Sequence, residues 1–378
     1  VSQEALPAPL PEPLPDSPPP ATPPVTPPSE PPPPPKRRRG RALRWPLAGL
    51  ALLVLVAAGL RVAEEIETSE LQARELAHYA TELDWRLIDG ASDAVRYPGH
   101  GPFDERLGYT RLPVIATHLK AQGYTLAAQT RFSDALMRYT GRGYFVPYHE
   151  KTRAGLDITD CRDTSLYRFR YPYRGYPGFE AVPPRVAQAL MFIENRDLLD
   201  ESRPTMNPAV DWVRFARAVL GRVGRMVSDD FDAPGGSTLA TQIEKFRHSP
   251  DGVTPNASEK LRQMMSASVR AYLDGEQTLP ARRRLILDYL NTVPLAAAPG
   301  HGEVNGVGDG LWVWFGTDFD TANALLSAPD ASGERLAAQG RALHQIVALM
   351  IAHRRPTYYL PHAGRERLAG LSSSYLRL

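Results

Sequence analysis

"PGGSTLATQIEKF", Pro234–Phe246, sets two glycines and two hydroxyl residues directly before a run that reads as a helix. Ser237 or Thr238 can cap that helix, which leaves backbone N–H groups facing any anion seated at the turn. One turn further on, Gln242 and Lys245 share a side of the helix and add a donor and a positive charge. The turn is not a Walker loop, because the Gly-Lys-Ser/Thr sequence with its wider glycine spacing is missing. It is not a nucleophile elbow either, which needs glycines on both sides of the serine.

Working upstream, "RVAQALMFIENRDLL" follows Pro183-Pro184 and puts Val186, Ala189, Leu190 and Ile193 on one apolar stripe. Glu194 comes directly after that stripe, and a carboxylate at the edge of a buried face is a candidate general base. Pairing with Arg196 on an ordinary polar face is the competing reading. Downstream, "SEKLRQMMSASVRAYLDG" reads as an amphipathic helix with Leu261, Met264, Met265, Ser268 and Tyr272 inward, and its basic first-turn residue Lys260 opposes the helix dipole. "RRRLILDYLNTVPL" is helical to Leu290 and stops around Asn291 and Pro294. "GHGEVNGVGDGLWVWFG" is too rich in glycine for a sustained helix and predicts close backbone packing.

The N-terminal sixty residues change composition three times. Proline dominates up to Lys36, giving an extended, solvated tail. Six positive charges follow between Lys36 and Arg44, then 16 uncharged residues, Trp45 to Leu60. That run is slightly short of the roughly 20 residues a spanning helix needs, but Arg44 and Arg61 can snorkel and Trp45 suits the interface. The basic flank places the tail in the cytoplasm and everything after Glu64 on the outer side. A net charge of +2 gives no reason to expect nucleic acid, and the single cysteine, Cys161, excludes a multi-cysteine zinc site.

In this order, an E-x-x-x-[FL] helix, the GGST turn leading to Q-x-x-K, an E-K helix, the "LDYLN" helix end and a glycine-rich segment ending in Trp-Phe-Gly resemble the family-51 glycosyltransferases. These are the peptidoglycan glycosyltransferase domains of penicillin-binding proteins and monofunctional transglycosylases. The resemblance runs from about Val182 to Pro361, with "RRPTYYLP" near Arg354 similar to the family's proline-tyrosine segment. It implies a mainly α, lysozyme-like, two-lobed helical domain, here preceded by a single transmembrane helix and a small membrane-proximal region. The expected segments are a proline-rich cytoplasmic tail (1–36), a basic flank and anchor (37–62), a membrane-proximal stalk or mixed region (63–175), the glycosyltransferase domain (176–365) and a C-terminal tail or the start of a further segment (366–378).

The resemblance also implies lipid II and the growing glycan chain as partners, and undecaprenyl diphosphate as the released product. Glu194 would be the base on the acceptor hydroxyl. Asn195, Ser237, Thr238, Gln242, Lys245, Arg247, Lys260 and Gln263 would bind substrate, and Asn291 would close a helix end. The sequence departs from the family pattern at Asn195 and Leu198, which replace aspartate and phenylalanine, and at Asn207, which stands for histidine. In the third motif Glu259 replaces arginine and Gln263 replaces the second glutamate. Glu259 and Gln263 lie one turn apart, about 5.4 Å, so Glu259 is the candidate to take over the lost acid's catalytic role. No cofactor or metal-ligand set is assigned; a divalent cation at the site stays open. The proline-rich tail suits a cytoplasmic partner, and the inner membrane, with the catalytic domain in the periplasm, is the expected location. The alternative to an enzyme is a catalytically degenerate scaffold that binds lipid II or glycan.

Overall fold

The computed structural model describes residues 44–99, 101–150, 155–170, 174–212, 237–329 and 332–378. The proline-rich tail, most of the basic flank, and Gly235 and Gly236 of the opening turn lie outside the described residues. The chain divides into two units at Ala57/Ala58.

The first helix, α1 (Arg44–Thr68), covers the run where a transmembrane segment is expected. From Leu50 to Leu60 its large apolar side chains are exposed. Among the described residues no helix is long and apolar enough to cross a membrane. Arg61 and the acids Glu64, Glu65 and Glu67 close the apolar stretch at one end, and at the other the side chains of residues 44–48 lie outside the description.

Within residues 58–378, Ser69 breaks the helix by adopting a left-handed backbone (φ 57°), and α2 (Glu70–Glu82) begins. The Glu65 carboxylate makes this break tolerable, because it accepts from the N–H groups of Leu71 (2.8 Å) and Gln72 (3.0 Å) that no helical carbonyl reaches. The face α2 buries is Ala73, Ala77 and Ala80, while Leu71 is exposed. Small residues let α2 lie close against Ala271 and Tyr272.

Strand β1 (Trp85–Asp89) pairs antiparallel with β2 (Ala128–Phe132). Between them lie α3 (Pro102–Arg106) and α4 (Leu112–Ala121), and α5 (Asp134–Gly141) follows, capped by Ser133. A second hairpin joins β3 (Gly155–Thr159) to β4 (Ser165–Arg170). Leu83, Phe132, Leu136 and Tyr139 of this region share a small core with Val269, so the region packs onto a helix of the C-terminal half.

That half is helical, as expected. Its elements are α6 (Pro184–Glu194), α7 (Leu239–His248), α8 (Ala257–Ala271) and α9 (Leu279–Thr292), then a short hairpin, β5 (Pro294–Ala298) with β6 (Gly302–Asn305). They continue with α10 (Gly306–Gly310), a widened turn over Leu311–Phe315, α11 (Phe319–Ser327), α12 (Gly333–Ala352), α13 (Pro356–Tyr359) and α14 (Arg365–Arg377). The main core collects Val186 and Leu190 of α6, Leu239 and Ile243 of α7, Ile286, Tyr289 and Leu290 of α9, and the Ile346–Ala352 end of α12. Helix α14, where a tail is expected, contributes Leu368 to the same core.

The glycine-rich segment meets its expectation. A Cβ at Gly306, whose φ is +82°, would collide with the Asn291 carbonyl, and one at Gly308 with the Arg174 carbonyl. Asn291 closes the helix end by bonding both backbone groups of Tyr176, at 2.9 and 2.8 Å. The face of α8 differs from the expected one: Leu261 and Met265 are exposed, while Glu259, Gln263 and Ser266 are buried. These polar groups go inside because each is hydrogen-bonded there.

Candidate active site

Thr238 caps α7 as its residue type suggests. Its Oγ1 accepts from Thr241 N at 3.3 Å, while Thr241 Oγ1 accepts from Thr238 N at 2.9 Å. This reciprocal pair starts α7 at a fixed point and so fixes the rotation of every side chain on it.

Helix α7 is buried on two faces. Toward α6, Gln242 Nε2 donates to Glu194 Oε2 at 2.8 Å, and Arg354, from the segment after α12, brings Nη2 to 3.8 Å from Glu194 Oε1. The Glu194 side chain is 10% exposed, so its carboxylate is oriented yet reachable. Lys245 lies one turn beyond Gln242; burial lowers its pKa and the Glu194 charge opposes that shift. Lys260 of α8 donates through Nζ to Ser237 Oγ (2.8 Å) and Thr241 Oγ1 (3.3 Å). Burial, with repulsion from Lys245 second, pushes Lys260 down to about 8. Two partly dehydrated ammonium groups that repel each other, one of them acting on the Glu194 carboxylate, form a site suited to a multiply charged anion.

Two further groups, His353 and Arg354, belong to this site. His353 is partly buried and its pKa is pushed down to about 4, chiefly by desolvation; Tyr289 OH and its Nδ1 lie 3.1 Å apart. Arg354 follows it directly, so the packed imidazole fixes where the guanidinium begins. The only sequence cue was the position of Arg354 in the proline-tyrosine segment.

The other expected residues divide. Asn195 ends α6 with an extended backbone, accepts from Asp197 N at 3.0 Å, and lines a cavity of about 320 Å³ together with Asn207, Trp212 and Thr238. Asn207 is buried and bonded to Gln72 (3.0 Å) and Ser268 (3.1 Å), a structural arrangement. Arg247 does not join Glu194. It points from the opposite face of α7 to Thr292 (3.0 Å), Asp288 (3.5 Å) and Glu150 (3.9 Å), because residues 242 and 247 differ by five positions and hence by more than a third of a turn.

Glu259 and Gln263 share a face, as their spacing requires, but their polar groups are already committed. Ser249 Oγ donates to Glu259 Oε1 at 2.6 Å, Arg262 pairs with Glu259 Oε2 at 2.9 Å, and Gln263 Nε2 donates to Ser249 Oγ (3.0 Å) and Thr254 Oγ1 (2.9 Å). Glu259→Gln is expected to cost about 1 kcal/mol or less of stability, since Arg262 is 41% exposed, and to leave the catalytic rate near wild type. A rate as low as that of a Glu194 variant would return Glu259 to the reaction.

A family model described as Transglycosylase matches residues 162–376, more than half of the chain. No curated protein matched the chain.

Proposed function

Because this chain belongs to the transglycosylase family, the family-51 glycosyltransferases, we propose that it polymerises lipid II into glycan strands with Glu194 as the general base. One observation carries the assignment of roles: the Glu194 carboxylate, aligned by Gln242 at 2.8 Å, acts on the Lys245 ammonium group, whose charge in turn acts on Lys260.

In the proposed reaction the acceptor sugar hydroxyl gives its proton to Glu194 as its oxygen bonds to the donor's anomeric carbon. The bond from that carbon to the diphosphate breaks on the opposite side, so configuration inverts. Negative charge grows on the departing diphosphate, and Lys245 and Lys260 stabilise it there, with Ser237 holding Lys260 in place. Gln242 is a positioning residue for the base, and Glu259 and Gln263 shape the end of α7.

The proposed setting is the inner membrane, with the catalytic domain in the periplasm and the proline-rich tail available to a cytoplasmic partner. The support is the sequence: the uncharged run extends back to Trp45, and the apolar side chains from Leu50 to Leu60 find no protein cover. A polyprenyl substrate confined to the bilayer would reward such a tether by raising its effective concentration.

The pH profile tests the lysine assignment. As pH rises through about 8, Lys260 loses its proton in the free enzyme, so kcat/KM for lipid II should fall on the alkaline side. Lys260→Arg should carry activity to higher pH, because guanidinium keeps its charge. An alkaline limb that is identical in that variant would remove Lys260 from the diphosphate site.

A further inference from the structure

The face of α7 turned away from Glu194 carries a second group of ionisable side chains. We propose that His248 Nε2, the Glu150 carboxylate and Glu244 Oε2 hold a divalent transition-metal cation, with Asp104 fixing the imidazole, and that this cation ties the membrane-proximal region to α7.

The side chains of His248, Glu244 and Asp104 are each 2% exposed and that of Glu150 is 1% exposed. Among the described residues, Glu150 Oε1 and Glu244 Oε2 accept no hydrogen bond, and His248 Nε2 meets only the Glu150 carboxylate, at 3.2 Å and outside good hydrogen-bond geometry, which is costly for atoms so fully removed from water. Asp104, Glu150 and His248 each bring one ligand atom within 4.8 Å of the others, and Glu244 joins through His248. His248 Nε2 lies 3.2 Å from Glu150 Oε2 and 4.0 Å from Glu244 Oε2. Two ligands held at about 2.0–2.2 Å from one cation lie about 3.0–3.4 Å apart when adjacent and about 4.2 Å when opposed.

The other nitrogen of the ring is already arranged for this role. Asp104 Oδ1 sits 2.8 Å from His248 Nδ1, and its Oδ2 accepts from Gly101 N at 3.1 Å. A carboxylate on Nδ1–H is the usual means of turning Nε2 toward a metal. Phe103 and Phe145, with centroids 6.3 and 5.2 Å from the imidazole, hold the ring plane.

The charge balance points the same way. Arg270 is matched by Glu244 Oε1 at 2.7 Å and spends its other donors on the carbonyls of Tyr148 and Val146. Arg247 is matched by Asp288 and Thr292 and reaches Glu150 only at 3.9 Å. Asp104 and Glu150 remain, two negative charges against one imidazole. Against the cost of burial, the Glu150 and Asp104 carboxylates hold a proton on the ring up to about 9, and a divalent cation at Nε2 would take the place of that proton and cancel both charges. A cavity of about 320 Å³, lined by Tyr97, Tyr144 and Phe145 and reaching Glu150 and His248, gives an entry path. One nitrogen with carboxylate oxygens suits zinc or manganese.

The site is separate from the Glu194 site and its test needs no lipid II. The full chain, purified in detergent, is stripped with a chelator, dialysed against Zn²⁺ and assayed for bound zinc and for its thermal midpoint, alongside Glu150→Gln and His248→Gln. About one zinc per chain, a raised midpoint in the wild type, and binding at least about tenfold weaker in both variants are expected. Co²⁺ in place of zinc should give the wild type a ligand-field absorption spectrum that shows nitrogen and oxygen ligands, a readout independent of whether the variants fold. No stoichiometric zinc in the wild type, or zinc retained equally by both folded variants, overturns the proposal.

Discussion

Replacing Glu194 with glutamine is expected to reduce polymerisation by about 10²- to 10⁴-fold while leaving the fold and lipid II binding nearly unchanged. The side chain keeps its volume and its Oε can still accept from Gln242 Nε2, so the cleft is preserved. What disappears is an acceptor for the sugar hydroxyl's proton and the charge facing Arg354 and Lys245. A steady-state assay with labelled lipid II reads the rate, and a thermal melt reads the fold. More than half of the wild-type rate in a folded variant would place the base elsewhere.

Lys245→Ala should have the second largest effect. Removing one positioned charge from a site that stabilises a leaving group typically costs about 3 kcal/mol, or about 10²-fold in rate. Its structural context adds a second expectation. Repulsion from Lys245 helps to depress Lys260, so the alanine variant should show its alkaline limb shifted upward even as its rate falls. A variant with a low rate and an unmoved limb would mean that the two ammonium groups do not share an anion. A wild-type rate would show that the diphosphate binds away from both.

The parts of this architecture that are legible in the sequence are those decided by local chemistry. The Thr238 cap, the closure of a helix by Asn291 and the close approach at Gly306 and Gly308 each follow from what one residue type can do. The pairing of Glu194 with Gln242 is not local, but both residues sit at recognisable motif positions, so the family resemblance brings them into one site. Rotation of the helices was harder to read. Helix α8 exposes Leu261 and buries Glu259 and Gln263, because Ser249 and Thr254 supply partners that a hydrophobic pattern does not register.

Arg247 shows the same difficulty on α7. With both faces of the helix buried, the basic residues at 245 and 247 look alike in sequence, yet they belong to different clusters. The partners of the second cluster, Asp104 and Glu150, come from about 100 residues or more upstream, in a region without any motif. Only the fold joins them to α7. The hint in the sequence is the spacing of Glu244, Arg247 and His248 at i, i+3 and i+4, since three ionisable residues on one face require partners from elsewhere once the structure buries that face.

The central claim is that this domain makes glycan. Incubating the purified, detergent-solubilised protein with labelled lipid II and resolving the products by gel electrophoresis tests it most directly. The wild-type protein should give polymer that lengthens with time, and Glu194→Gln should give none. Lipid II that binds tightly but remains monomeric with the wild-type protein would contradict it, and would make the cleft around Glu194 a binding site in a scaffold.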